Sequence, residues 1–244
     1  MIDYRHFTIL KRTSLFLFIL LFAGNVKGEP VSEVHSSPLQ MGSYLTVEYI
    51  NLLKQTKSPI YAGDHTDRRQ LIETALDDKQ NQIFFQMGNF HDSDGIYKSD
   101  LTLKKVINTY DKSAVKVKIK SRTEFIISVK GKSLHYRYIG NIKQFLIRNT
   151  IVGKFVDHEG NFYSFTEDGL ATFPDRSFQF KIDPDYVFIG FDRFIEDPIK
   201  DKIYHYGYKL TNNELQLFNI NDEDARDATP FVKLIRVAES EVKP

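Results

Sequence analysis

Asn149–Phe194 reads NTIVGKFVDHEGNFYSFTEDGLATFPDRSFQFKIDPDYVFIGFDRF, and this stretch decides the fold. Short apolar and aromatic runs are cut by tight-turn signals at His158-Glu159-Gly160, Glu167-Asp168-Gly169, Pro174-Asp175 and Asp183-Pro184. A spacing of roughly 8 to 12 residues between such signals is that of successive antiparallel strands.

The pattern continues on both sides. Upstream, Ile83–Phe90 reads as a strand running into the turn Asp92-Ser93-Asp94-Gly95. Leu101–Ile107 mixes alternation with adjacent apolar residues and supports no single reading. Val115, Val117 and Ile119 alternate with Lys116, Lys118 and Lys120, which gives a strand with one solvated cationic face. Phe125, Ile127 and Val129, a turn at Lys130-Gly131-Lys132, then Leu134, Tyr136 and Tyr138 make a hairpin. Downstream, Ile203–Leu210 and Leu215–Ile220 flank the turn Thr211-Asn212-Asn213. An acidic loop, Asn221–Thr229, precedes a last strand at Phe231–Val237.

The period is different ahead of residue 81. Tyr44, Leu45, Tyr49, Leu52 and Leu53 recur near helical spacing, with Ser43 as a candidate cap and Lys57-Ser58-Pro59 as the stop. Asp67–Leu76 reads as a second short helix, with Asp67 and Gln70 in capping-box spacing. Such helices pack on the outside of the β domain, plug one of its ends or, less commonly, bind a partner. The expected fold is therefore mostly β: an antiparallel meander barrel or barrel-like sheet of about ten strands, preceded by two short α-helices.

The N-terminus carries an export-signal pattern. Arg5, Lys11 and Arg12 precede the apolar run Leu15–Ala23, and Val26-Lys27-Gly28 offers a cleavage site. The nine-residue run falls short of the ~20 residues that span a bilayer; an uncleaved anchor or a buried helix are the alternatives. The expected division is a signal peptide at 1–28, a polar linker at 29–42, a helical segment at 43–80, a β domain at 81–238 and a tail at 239–244. Residues 29–244 hold twenty-nine basic and thirty-one acidic side chains. That near balance gives no electrostatic reason to expect nucleic acid or an anionic membrane. With no cysteine in the chain there is no disulfide, thiolate site or Cys nucleophile. The expected location is periplasmic or secreted, with no membrane span once the signal is removed.

Chemistry-bearing motifs are sparse. Gly88–Gly95 and Gly153–Gly160 share the pattern Gly-x-Phe-x-Asp-x-acid-Gly, which reads as two similar hairpin turns, or alternatively as a duplicated half-barrel. Their acids supply only a fragment of a calcium loop. The seven histidines show no metal-ligand spacing, no Gly-x-Ser-x-Gly elbow occurs, and Glu196-Asp197 beside Pro198 reads as a solvated loop. No metal, cofactor or catalytic residue is assigned. The richer signal is tyrosine. Tyr136 and Tyr138 on one strand, and Tyr204, Tyr206 and Tyr208 on another, either fill a core or line a pocket, with Arg137 or His205 orienting a ligand if they point inward.

Two elements resemble bacterial lipocalin-like (calycin-type) domains. Gly88-Asn89-Phe90 corresponds to an early Gly-x-aromatic element, and Tyr206-Gly-Tyr-Lys-Leu-Thr-Asn-Asn-Glu-Leu-Gln-Leu-Phe218 to a late strand–turn–strand. The resemblance covers roughly residues 82–237 and implies a cup-shaped barrel that holds a small hydrophobic molecule. Three functions follow as expectations: a non-catalytic container for a small apolar or amphipathic ligand, a protein-interaction module, or an enzyme with an unrecognised site.

Overall fold

The computed structural model describes residues 37–77, 79–129, 131–184, 191–196, 204–220 and 229–237. The expected signal peptide, most of the linker, Asp197, the acidic loop up to residue 228 and the tail at 239–244 lie outside the described residues. The rest forms two closed barrels, each an antiparallel meander of eight strands. The first comprises β1 (Gly42–Thr46), β2 (Leu71–Asp77), β3 (Gln82–Gly88), β4 (Ser93–Asp100), β5 (Val106–Asn108), β6 (Ala114–Ser121), β7 (Glu124–Val129) and β8 (Lys132–Gly140). It closes where β1 pairs with β8, Tyr44 opposite Tyr138. The second comprises β9 (Gly153–Val156), β10 (Phe162–Phe165), β11 (Leu170–Thr172), β12 (Ser177–Asp183), β13 (Asp192–Glu196), β14 (His205–Leu210), β15 (Glu214–Asn219) and β16 (Val232–Arg236). It closes where β16 pairs with β9.

The single barrel of about ten strands is thus corrected to two of eight. Closure leaves no unpaired edge, so a ninth strand cannot add to the first barrel and begins another. The break is made by α3 (Ile142–Arg148), whose N-cap Asn141 accepts from the amides of Lys143 and Gln144. Nor do the two Gly-x-Phe motifs repeat a half-barrel. One spans the β3–β4 connection, while the other runs from the first residue of β9 into the β9–β10 turn.

Two helices stand between β1 and β2. In α1 (Val47–Thr56) the cap is Thr46, not Ser43, because Ser43 and Tyr44 are already paired in β1. Lys57 adopts the left-handed conformation that ends α1, and Ser58 with Pro59 starts α2 (Pro59–Asp64) at once. The helix expected over 67–76 is instead a loop followed by β2. Ile72 and Thr74 face the barrel, while Leu71 on the outer wall packs into the core of the second barrel. A strand covered on both faces loses its polar alternation and mimics a helical stripe. Asp67 and Gln70 are not a capping box either. Asp67 pairs with Arg69 at 2.7 Å and Lys132 at 3.0 Å, and Gln70 donates to the Gly63 carbonyl at 2.8 Å.

Large side chains occupy both interiors. Tyr44, Phe85, Met87, Phe125 and Tyr136 are fully buried in the first, and Phe155, Phe165, Phe194, Tyr208 and Leu217 in the second. An eight-stranded barrel is just wide enough for side chains of this size. The first barrel is stoppered at both ends. Leu39, buried in its core cluster, crosses one end, where the Gln40 amide donates to the Arg122 carbonyl at 2.8 Å. Across the other end lies the 67–70 loop, held by a 2.5 Å hydrogen bond from the Tyr136 hydroxyl to the Arg69 carbonyl.

The second barrel is closed at one end only by what precedes it in sequence. Tyr49, Ile50 and Leu53 of α1, Ala62 of α2, Leu146 and Ile147 of α3, and Leu45 on the outer wall of the first barrel all join its apolar cluster. The Ile60 amide donates to Asp192 Oδ1 at 3.0 Å, so a carboxylate of the second barrel caps α2. Among the described residues, no helix is long and apolar enough to cross a membrane.

Candidate binding site at the mouth of the second barrel

The strands of the meander alternate in direction, so every second turn falls at the same end. The 166–169 turn lies against α3: a Cβ on Gly169 would stand 3.3 Å from Ile147 Cδ1, and Arg148 pairs with Glu167 at 3.3 Å. The β9–β10 and β11–β12 turns therefore stand at the opposite, open end. Between them is a groove of about 510 Å³, lined by Tyr163, Phe173, Tyr206 and Phe231 together with acidic and amide side chains of the two turns.

The turns are internally braced. Asp157 accepts from the amides of Glu159 and Asn161, both at 2.9 Å, and from the Asn161 side chain at 3.0 Å. The Asn161 contact comes first among those that hold its carboxyl below the usual range, so it stays ionised at neutral pH. In the β11–β12 turn, Phe173 and Arg176 exchange backbone hydrogen bonds around Pro174-Asp175. Proline suits the second position of such a turn because its φ is already set.

Arg176 emerges at the start of β12 and crosses the rim. Its Nη2 lies 3.1 Å from Glu196 Oε2 on β13 and donates to the Tyr206 hydroxyl on β14. The guanidinium also stands over the rings of Phe178 and Tyr204, at 5.0 and 5.4 Å. Burial is the main reason the Tyr206 phenol is raised above its ordinary value, and Arg176 pulls the other way. The lining rings form a connected series: Tyr163–Phe173 at 5.2 Å, Phe173–Tyr206 at 6.1 Å and Tyr206–Phe231 at 6.2 Å. Phe231 remains 45% exposed, a large apolar surface with one face still wet.

The tyrosines singled out in the sequence divide between the barrels and share no surface. Tyr136 is wholly buried in the first, stacked on Phe125 at 5.4 Å, and Tyr138 packs edge-on against Tyr44. Arg137 points outward to Glu124 at 2.7 Å. In the second barrel Tyr208 is core, deep toward the closed end, and His205 lies on the outer wall, where desolvation and then Arg193 lower its affinity for a proton. Tyr206 lines the groove and Tyr204 flanks it by way of Arg176. Sequence reasoning missed Tyr163, Phe173, Arg176 and Phe231. The turn signals did carry them: aromatic residues beside alternate turns of one meander must gather at one end.

Among the described residues, no group of three or more His, Cys, Asp or Glu side chains is placed to hold a metal ion. The chain matches no protein-family model and no curated protein.

Proposed function

We propose that the chain is an exported, non-catalytic binding protein that holds a small hydrophobic or amphipathic molecule at the mouth of its second barrel. One observation carries the reading. The first barrel is plugged at both ends, whereas the second ends in a groove of about 510 Å³ walled by four aromatic rings. Small-molecule sites are concave, of about 300–1,000 Å³, and mostly apolar with a few polar groups that orient the ligand. The ligand sits at the rim because the barrel interior is occupied by phenylalanine rings. In this respect the protein is a shallow variant of the lipocalin-like cup, with a periplasmic or secreted setting.

Native mass spectrometry of the protein purified without denaturant from the cells that make it tests this. A copurified small molecule is expected, released on denaturation and absent from the Tyr163→Ala/Phe231→Ala variant. A molecule retained by that variant would place the site elsewhere, and an apo protein with no uptake of added amphiphiles would sink the reading. A second reading, protein interaction, draws on the exposed Phe162 and Tyr204 near the same end. A stably bound protein in the spectrum would favour it.

A further inference from the structure

The charge around the groove points to the kind of amphiphile. Three carboxylates, Asp157, Glu159 and Asp175, reach it from the two turns. Among the lining residues Arg176 is the one Lys or Arg, and its charge is already taken up by Glu196 at 3.1 Å, a side chain 7% exposed; the exposed His158, 3.9 Å from Glu159, is the other basic side chain at the groove and can offset at most one of the three carboxylates. The groove is therefore left with excess negative charge beside aromatic faces. The Tyr163 phenol registers this: burial raises it first, and Asp157, Asp175 and Glu159 each raise it further. The same sign holds at larger scale. Residues 141–244 contain thirteen Lys or Arg against eighteen Asp or Glu, a formal charge of −5.

We propose that the mouth of the second barrel selects an amphipathic organic cation, its alkylated ammonium head set against the rings of Tyr163, Phe173 and Tyr206 within the field of Asp157, Glu159 and Asp175. This rests on the mouth being a ligand site. The negative face of an aromatic ring attracts a cation by roughly 0.5–2 kcal/mol, and a cage of rings is the usual means of recognising alkylated ammonium groups. A bare metal ion is a poor candidate. It needs several oxygen ligands converging at 2–2.6 Å, and the described carboxylates form no such group. A bulky ammonium asks only for nearby negative potential and apolar walls. Phe231, exposed at the edge, offers its ring to the ligand's apolar tail.

Isothermal titration with three probes of equal chain length tests the charge: octyltrimethylammonium, octyl sulfate and octyl glucoside, each below its micelle concentration. The cation is expected to bind about tenfold more tightly than the sulfate, and the margin should shrink as salt is raised. Glu159→Gln/Asp175→Asn should remove most of that margin, bringing the cation's affinity toward that of the sulfate. Phe231→Ala should weaken all three probes. Equal binding of cation and sulfate, or preference for the sulfate, overturns the charge assignment and leaves the mouth as a ligand site. Binding of none of the three overturns both.

Discussion

Asp192 is the residue with most at stake in the junction of the two barrels. It is 8% exposed, accepts from the Ile60 amide at 3.0 Å, bonds the Ser58 side chain and faces the buried Tyr208 phenol. Burial pushes its carboxyl from 3.8 up to about 7, and the Ser58 and Ile60 contacts only partly oppose that. A raised acid binds its proton more tightly in the native state than in the unfolded chain. Stability from this group is therefore highest below about pH 4, falls as the pH rises toward 7, and stays low above it. Each unit is worth about 1.4 kcal/mol, so the ionised form costs on the order of 4 kcal/mol. Asp192→Asn keeps an acceptor for Ile60 and removes the charge. Its Tm should lie closest to the parent's below pH 4 and exceed it by several degrees at pH 8. A difference that does not change with pH would refute the burial argument. Nothing in the run Phe191-Asp192-Arg193 marks the aspartate as buried, because its neighbour across space lies 132 positions away.

Among elements, α1 has the most consequential placement. Its Lys57-Ser58-Pro59 stop and apolar spacing were legible in the sequence, and a helix plugging one end of a barrel was an expected position, but the cap is Thr46 and not the expected Ser43. That the barrel it serves begins at residue 153 was not legible, since strand spacing reports neither closure nor partner. The same gap explains β2, where Leu71 is apolar on the outer face because the second barrel covers it. It also explains why α3 passed unread between two meanders. Leu53, with no exposed surface, anchors α1 in the core of the second barrel. Leu53→Ala should lower the stability of that barrel by about 2–5 kcal/mol. Amide exchange would show faster opening in β9–β16 than in β1–β8. Equal acceleration in both barrels would mean that α1 supports them alike.

For the whole molecule, the near neutrality of the chain conceals two opposite halves. Residues 37–140 hold sixteen Lys or Arg and eleven Asp or Glu, a formal charge of +5 against −5 for residues 141–244. The halves also differ in self-sufficiency. The first barrel closes both of its ends with its own loops, whereas the second takes much of its floor from α1 and from Leu45 of the first. A chain starting at Asn141 should therefore bind hydrophobic dyes and unfold without a sharp thermal transition, while one ending at Gly140 should keep a cooperative transition. A stable, dye-free barrel from residues 141–244 would contradict this dependence. The borrowed floor also sets a timetable for synthesis. Once Gly140 has emerged, the first barrel can close, but Tyr49, Ile50 and Leu53 have nothing to cover them until Arg236 follows, roughly a hundred residues later. At ordinary ribosomal rates that is an interval of about 5–20 s, during which the apolar face of α1 in a newborn chain stays uncovered.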